Sequence, residues 1–231
     1  INFNSELRNL EPIEFIEIIL KKTIHVKCLL AGDNFKFGKN RLGSLADKKI
    51  FEKNSIDTIS IKLEKRSKNT LISSEFIRNS IINLSFENIR KTLGRNWSIT
   101  GIVKKGDQNG RKIGFATANV EIEKTIEPKF GVYFTKTTIM SENGNVFNSS
   151  QMPSITNFGI RPTLDGKKKL LETHILNFSK LYDEIEIYGK RIHIQILGYL
   201  RAEKKFNSLE QLKNQIYEDV QKAISFHKNK E

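Results

Sequence analysis

The segment KKGDQNGRKIGFATANV, residues 104–120, decides which kind of domain this sequence encodes. Gly106, Gly110 and Gly114 can adopt positive φ and let backbone N–H groups approach a ligand closely, which suits a phosphate-binding loop. No Gly-Lys-Ser or Gly-Lys-Thr follows these glycines, and their spacing does not match the dinucleotide-binding motif. Taken alone, such a segment is more often a glycine-containing β-hairpin.

Thr117 and Asn119 offer an explanation for the missing lysine. Alternate residues of a strand point to the same face, so these two side chains would direct two oxygens at one spot. Mg²⁺ accepts a few protein oxygens and takes its remaining ligands from water and substrate phosphates. A metal ion together with backbone N–H groups could therefore replace the usual phosphate-binding lysine.

A second candidate lies in LLETHIL, residues 170–176, where Glu172 alternates with Leu170 and His174. A carboxylate between apolar strand residues is uncommon unless it is paired or functional. Glu172 is thus either an outward-facing residue in a salt bridge or a functional acid, and His174 by itself is more often structural. Surface salt bridges are the default interpretation for Arg161, Arg201 and Glu203.

The sequence after Gly94 has the pattern of an all-β domain. Short apolar segments separated by turn residues predict a closed barrel or a sandwich. Ser208 and Gln211 form the sequence pattern of a capping box, which predicts a helix at the end of the chain. The predicted strands lie in residues 97–106, 115–122, 131–140, 146–159, 170–176 and 191–200, and the predicted helical stripe is Leu209, Leu212, Ile216, Val220 and Ile224.

The sequence before residue 93 alternates helices and strands, which favours an open parallel α/β sheet. Residues 11–22 predict a helix, residues 24–32 a buried parallel strand, and residues 57–64 a further strand. Open α/β sheets bind ligands in the loops after their strands, and helix N-termini bind anions. Such a loop is predicted for GDNFKFG, residues 32–38, and such a helix N-terminus for ISSEFIR, residues 72–78. Both segments are equally compatible with loop packing and helix capping.

The composition excludes several classes of protein. The chain has 231 residues, of which 38% are hydrophobic, enough for one large or two modest domains. The single cysteine, Cys28, excludes a disulfide framework and a multi-cysteine zinc site. No apolar run could span a bilayer and no signal-peptide pattern is present, so we expect a cytoplasmic protein without membrane contact. Because residue 1 is Ile, we also expect further sequence ahead of it.

The formal net charge of +13 permits two interpretations. A basic protein can bind nucleic acid, or its lysines can simply be scattered over solvated faces. We favour the second interpretation, without a nucleic-acid partner, because no dense basic helix and no alternation of aromatic and basic residues is present. A basic surface would also suit an enzyme with polyphosphate substrates. The alternative is a non-catalytic basic barrel that binds RNA.

Together these segments resemble the bacterial bifunctional riboflavin kinase/FMN adenylyltransferase family, also called FAD synthetase. The resemblance follows chain order over almost the whole sequence. Residues 1–92 resemble the latter part of the adenylyltransferase module, and residues 93–231 resemble the complete riboflavin kinase module. The segments that carry it are LRNLEPIEFIEIIL, GDNFKFGKNRLGS, ISSEFIR, LGRNWSITGIVKKGDQNGRKIGFATANV, PKFGVY, FGIRPT, LETHIL and GYLRAEKKFNSLEQLKNQI.

The resemblance implies a mixed α+β chain: a partial Rossmann-like α/β nucleotidyltransferase module, then a six-stranded antiparallel Greek-key β-barrel with a C-terminal helix. It implies transfer of the ATP γ-phosphate to the 5′-hydroxyl of riboflavin, giving FMN, with Mg²⁺ as cofactor; the family also converts FMN to FAD. Glu172 would be the catalytic base, and Thr117 and Asn119 would bind Mg²⁺ and the phosphates. The resemblance further implies three groups in the kinase module: a phosphate loop with Gly106, Gly110 and Gly114; positions near adenosine at His174, Ile175 and Tyr188; and positions near the flavin at Arg201, Glu203 and Phe206. It also implies remaining residues of the adenylyltransferase site at Asp33, Phe35, Phe37, Ser74 and Arg78.

The sequence departs from the family pattern at several positions. Ala116 replaces a usual Pro, which removes a fixed φ before Thr117 but leaves the oxygen ligands unchanged. Glu75 replaces a usual Thr, and its carboxylate would repel nucleotide phosphates. The glycine- and histidine-rich motif with which the adenylyltransferase module begins does not occur. We therefore expect riboflavin kinase activity and no FAD synthesis by this chain alone; residues 1–92 could instead support the kinase structurally.

Overall fold

The computed structural model describes residues 1–63, 65–67, 70–106, 109–122, 125–140, 151–163, 166–177 and 187–229. The chain forms two compact units, Ile1–Ile72 and Ser73–Glu231. The helices between residue 73 and the predicted module boundary at residue 93 belong to the second unit, because Ile81, Phe86 and Ile89 lie in the same core as the barrel residues.

The first unit is built from short elements around a small core. Strand Cys28–Gly32 pairs in parallel with strand Asp57–Ile61, as the sequence predicts for these segments. The elements are helices α1 Ser5–Asn9, α2 Pro12–Glu14 with a π-helical continuation Phe15–Thr23, and α3 Lys48–Lys53; a 3-10 turn Lys39–Arg41; and strands β1 Cys28–Gly32, β2 Lys36–Phe37, β3 Gly43–Ser44, β4 Asp57–Ile61, β5 Lys65–Ser67 and β6 Thr70–Leu71.

The prediction that β1 is a buried strand is wrong. Leu30 is 58% exposed, and Ile59 and Ile61 on the neighbouring β4 are 50% and 49% exposed. Parallel sheets normally have both faces covered. In the described part of this unit the parallel sheet has only two strands. The core is instead formed by Ile16, Leu20, Phe37, Leu45, Phe51 and Ile56.

The second unit is a closed barrel of six antiparallel strands, which confirms the predicted fold class. The strands follow the order β10-β11-β8-β7-β12-β9. Strands β9, β10 and β11 are consecutive neighbours and β12 returns to lie beside β9, which is Greek-key topology. The elements are β7 Ser98–Lys104, β8 Ala118–Glu121, β9 Gly131–Met140, β10 Met152–Thr163, β11 Gly166–Ile175, β12 Arg191–Arg201, and helices α4 Ser74–Ile82, α5 Phe86–Leu93, α6 Asn109–Lys112 and α7 Leu209–Lys228.

The barrel interior combines an apolar core with a chain of buried hydroxyl groups. Thr137 and Thr135 of β9 and Ser154, Thr156 of β10 and Thr173 of β11 are all at most 1% exposed. Their side-chain oxygens are 2.7–3.0 Å apart in an unbroken series from Thr137 to Thr173. Each hydroxyl has at least one hydrogen-bond partner in the series, which lowers the cost of burying these polar groups.

Helix α7 packs on the outside of the barrel. Ser208 caps it by accepting a hydrogen bond from the backbone N of Gln211 at 3.2 Å, whereas the Gln211 side chain accepts from Asn207. Phe226 stacks on Phe134 with ring centroids 4.0 Å apart. The predicted stripe is wrong at Leu209, which is 62% exposed. The helix positions that the structure buries are Asp219, Ala223 and His227.

Candidate active site

The structure brings Asn119 and Glu172 together on the outer face of the barrel. They are directly opposed in the antiparallel register of β8 and β11, and Asn157 of β10 lies opposite Glu172 on the other side. Directly opposed residues have Cβ atoms about 4.5–5.5 Å apart. On β11 the neighbours Leu171 and Thr173 point inward, so Glu172 points outward. Three polar side chains therefore form one row across three strands.

The side chain of Asn119 has an unused hydrogen-bond acceptor in the described part of the chain. Its Oδ1 atom is buried and has no hydrogen-bond partner among the described residues. A Cβ placed on Gly106 would overlap Nδ2 of Asn119, so only glycine leaves room for this side chain. A buried acceptor without a partner is costly. The arrangement therefore suits a cation or a donor group on a ligand.

The glycines of the loop serve different purposes. Of the three, only Gly114 has positive φ, at +91°. Gly110 is required for space, because a Cβ there would overlap the carbonyl oxygen of Phe115. Gly106 likewise gives room to Asn119. The capacity of glycine for positive φ thus explains one of these positions, and close approach explains the other two.

His174 anchors the segment that carries Thr117. Thr117 directly precedes β8, and the carbonyl oxygen of Ala116 accepts a hydrogen bond from Nδ1 of His174 at 2.8 Å. Because that carbonyl can only accept, Nδ1 carries the proton and the neutral ring leaves Nε2 with its lone pair. Burial lowers the pKa of His174, while the hydrogen bond to Ala116 opposes this effect. The ring also meets Phe115 edge-on, with centroids 5.6 Å apart.

Glu172 is held by Arg161 and Asn157. Nε of Arg161 donates to Oε1 of Glu172 at 3.1 Å, Nη2 of the same guanidinium contacts Oε2, and Nδ2 of Asn157 donates to Oε2 at 3.3 Å. The hydrogen bond with Glu172 raises the pKa of Arg161. The Glu172 side chain nevertheless remains 25% exposed. Glu172 therefore forms a salt bridge and is also partly accessible from solvent. Its position is compatible with both interpretations from the sequence, an outward-facing residue in a salt bridge and a functional acid.

Glu203 joins the same cluster from the segment after β12. Its Oε1 atom accepts a hydrogen bond from Asn157 at 3.3 Å and lies 3.7 Å from Nη1 of Arg161. A Cβ on Gly159 would overlap the Glu203 carboxylate, so the glycine allows this side chain to lie over β10. The residue predicted near the flavin and the predicted base are thus connected through Asn157 and Arg161.

Arg201 binds the C-terminal helix. Its Nε atom lies 3.0 and 2.9 Å from the two carboxylate oxygens of Asp219, and Nη2 lies 2.5 Å from Oδ2. Nη1 donates to the carbonyl oxygen of Ala202 at 2.9 Å. Every nitrogen of the guanidinium is therefore engaged within the protein. The expected surface salt bridges are present for Arg161 and Glu203, whereas the salt bridge of Arg201 is largely buried.

The other predicted residues are more dispersed. The side chain of Ile175 is 4% exposed and belongs to the barrel core, so only its backbone could contact adenosine. Tyr188 packs partly buried against that core, and Phe206 is partly buried in the segment before α7. Phe37 is a core residue of the first unit, stacked with Phe35, which favours loop packing. Asp33 is exposed after β1, and exposed Ser74 and Arg78 lie on α4, whose N-cap is Ser73.

Two important residues escaped the sequence analysis. Asn157 gives no signal by itself, because a single Asn in a strand segment is unremarkable until its neighbours are known. Asp219 could have been found: it lies three residues after Ile216 and four before Ala223, on the apolar side of α7. A carboxylate at such a position requires a partner.

The donor set fits a hard divalent cation. Asn119 contributes the unpartnered Oδ1 atom, and Thr117 lies two residues earlier, in the segment that directly precedes β8. Within the described residues no group of three or more His, Cys, Asp or Glu side chains could hold a metal ion. A site with few protein oxygens is typical of Mg²⁺ that is shared with substrate phosphates.

The fold and this site define a class: a Greek-key barrel with an outer-face acid beside a glycine-containing loop. Residues 93–227 match the family model described as Riboflavin kinase, and residues 1–76 match the one described as FAD synthetase. The chain belongs to the bifunctional riboflavin kinase/FMN adenylyltransferase family.

Curated relatives with that name cover nearly the whole chain. The protein from Haemophilus influenzae is 36% identical over 92% of this chain and 65% of its own length. Those from Buchnera aphidicola subsp. Schizaphis graminum and Escherichia coli K12 are 33% and 31% identical over 96% and 98% of the chain. The chain spans 68% of the length of each of these two relatives.

A solved structure from Streptococcus pneumoniae, described as a macrolide-efflux protein, also resembles the chain. It is 26% identical with a TM-score of 0.72, and the match covers 95% of this chain and 67% of that one. In the described part of the present chain, no helix is long and apolar enough to cross a membrane.

Proposed function

We propose that residues 93–231 transfer the γ-phosphate of ATP to the 5′-hydroxyl of riboflavin, giving FMN and ADP. The single observation that carries this proposal is the opposition of Asn119 and Glu172 on adjacent strands, beside the glycine-containing loop. This opposition supports the proposal, because a metal ion held at Asn119 would bring a polyphosphate within reach of the Glu172 carboxylate. The match of residues 93–227 to the riboflavin kinase family supplies the substrate class.

The chemistry that these residues supply is positioning and proton acceptance. The riboflavin hydroxyl oxygen forms a bond to the γ-phosphorus, and the bond from that phosphorus to the bridging oxygen breaks, so ADP leaves. Glu172 accepts the hydroxyl proton. Such phosphoryl transfers depend mainly on alignment and charge stabilisation, and a positioned base contributes a further 10²–10⁴-fold, on the order of 3–5 kcal/mol.

Thr117 and Asn119 would hold Mg²⁺ through their side-chain oxygens, with the remaining ligands from ATP and water. When bound, the ion would neutralise charge on the phosphates. The neutral donors suit this purpose, because the substrate itself brings the negative charge. Asn119→Ala should weaken Mg²⁺-dependent binding of ADP in calorimetry, whereas binding measured without Mg²⁺ should change little.

The direct test is to incubate the purified chain with riboflavin, ATP and Mg²⁺ and to separate the flavins by chromatography. We expect FMN to form only when both ATP and Mg²⁺ are present. A folded wild-type chain that makes no FMN would refute the proposal.

The same chromatogram tests the second activity named in the relatives. We propose that FMN accumulates without FAD. The support is the first unit, whose described residues form a parallel sheet of only two strands with exposed Leu30, Ile59 and Ile61. Nucleotide-binding sheets of this type are normally covered on both faces. An FAD peak that grows with time and requires ATP would overturn this expectation.

A further inference from the structure

The ion pair between Arg161 and Glu172 is not explained by the proposed transfer reaction. A general base must be free to accept a proton, yet a guanidinium holds this carboxylate through both of its oxygens. Arg161 is 41% exposed at its side chain, and Glu172 is 25% exposed, so the pair lies at the surface of the candidate site. Exposed ion pairs contribute little to stability. Stability therefore does not explain why Arg161 pairs with Glu172 at this position in the candidate site.

We propose that Arg161 is a positioning residue for Glu172: it fixes the plane of the carboxylate so that Oε1 accepts the substrate proton. This inference rests on the proposed riboflavin kinase function.

The hydrogen bonds around the carboxylate identify the accepting atom. An ionised carboxylate has about four lone-pair positions, two on each oxygen. Among the described residues, Oε2 receives both Nη2 of Arg161 and Nδ2 of Asn157, whereas Oε1 receives only Nε of Arg161. One lone pair of Oε1 is left. A bidentate guanidinium fixes the plane of the carboxylate, so this lone pair has a defined direction.

The groups around Glu172 include a second acid. Glu203 lies on the opposite side of Arg161, with Oε1 3.7 Å from Nη1. Asn119 of β8 and Asn157 of β10 are neutral, and His174 follows on the same face of β11. Lys168, opposite Arg161 in the register, binds Glu121 instead.

Arg161 is thus the only cation among the described residues that contacts Glu172 in the structure. Without it, two acids would lie close together beside bound phosphates, and the Glu172 carboxylate would lose two of the three side-chain hydrogen bonds that the described residues give it.

The test uses two substitutions that separate charge from geometry. Arg161→Gln removes the charge and the planar fork, so kcat for FMN formation should fall about 10–100-fold while KM for riboflavin stays within about twofold. Arg161→Lys keeps the charge but loses the planar fork, so kcat should fall on the order of 10-fold, again with KM little changed. Wild-type kcat in both variants would overturn the inference.

Arg191→Gln is the matched control, since Arg191 is an exposed residue of β12 outside the site. It should keep the wild-type kcat and KM, which would show that the loss is specific to Arg161. Should Arg161→Gln fail to fold by circular dichroism, the Lys variant decides alone, and an unchanged kcat refutes the inference. Absence of FMN with the wild-type chain would instead refute the proposed function, so the two failures are distinguishable.

Discussion

Two arginine–carboxylate pairs in the second unit have similar hydrogen bonds but different surroundings. In the pair of Arg201 with Asp219 the side chains are 17% and 3% exposed. In the pair of Arg161 with Glu172 they are 41% and 25% exposed. Asp219 also accepts a hydrogen bond from Gln215, so the buried pair is closed by protein groups on both sides.

The comparison indicates how the same chemistry serves two purposes. The buried pair joins the end of β12 to helix α7, and removing one partner would leave an uncompensated charge in a dry environment. The exposed pair has little to lose in stability, but it retains a lone pair that a substrate can reach. Both places contain an ion pair, so the ion pair itself does not distinguish them. We infer that the candidate site differs from the Arg201–Asp219 pair because a substrate can reach a free lone pair of its carboxylate.

Glu172→Gln gives the largest expected effect on the exposed side of this comparison. The amide keeps the size of the side chain but cannot accept the substrate proton, so FMN turnover should fall by about 10²–10⁴-fold. Urea denaturation should show a change of no more than about 1 kcal/mol. Glu210→Gln, an exposed acid on α7, is the control and should retain turnover. Wild-type turnover in Glu172→Gln would remove this residue from the mechanism.

Asp219→Asn tests the buried side. The loss of one charge leaves Arg201, whose side chain is 17% exposed, without its counter-ion, so the free energy of unfolding should fall by about 3 kcal/mol, the lower end for a broken buried pair. The neighbouring Glu218→Gln, at an exposed position of the same helix, should change it by less than about 0.5 kcal/mol. If both variants unfold at the wild-type urea concentration, the buried pair does not join helix and barrel as we infer.

Gly106→Ala disturbs the site without touching either ion pair. The added Cβ would overlap Nδ2 of Asn119 and force that side chain to move, so FMN turnover should fall about 10–100-fold. Gly198→Ala is the matched control, because its nearest new contact, with Phe134, lies at an ordinary 3.5 Å. Equal activity of the two variants would show that the position of Asn119 is not critical.

The sequence predicts the barrel well, because strand periodicity is a local property. Residues 131–140 form a strand over the whole predicted range, and the terminal helix begins at its predicted cap. The row of Asn119, Glu172 and Asn157 could not be derived in the same way. It depends on the register between strands, and β8 and β11 are not consecutive in the chain, so no local pattern determines the row.

The errors have physical reasons as well. Leu30 has the apolar neighbours of a buried strand, but burial requires covering layers that the sequence of one strand does not reveal. Ile175 belongs to the segment LLETHIL, which contains the predicted base. The alternation along β11 nevertheless places Ile175 on the inner face of the barrel, opposite to Glu172 and His174. Alternation from Glu172 would have predicted this, because residues an odd number apart lie on opposite faces.

His174→Gln gives the smallest expected effect and tests whether the site face also contributes to folding. Burial lowers the pKa of His174 in the folded chain. Below about pH 6.5 the unfolded chain therefore binds a proton before the folded chain does, and the free energy of unfolding falls as pH decreases. One proton can contribute at most about 1.4 kcal/mol per pH unit to the slope of the free energy of unfolding against pH, so His174 contributes less than this. His174→Gln should therefore reduce the slope measured for the wild-type chain. His193, whose pKa burial also lowers, should leave a residual slope of the same sign. Identical slopes in both proteins, measured by urea denaturation between pH 5 and pH 7, would mean that His174 titrates alike in the folded and unfolded chains.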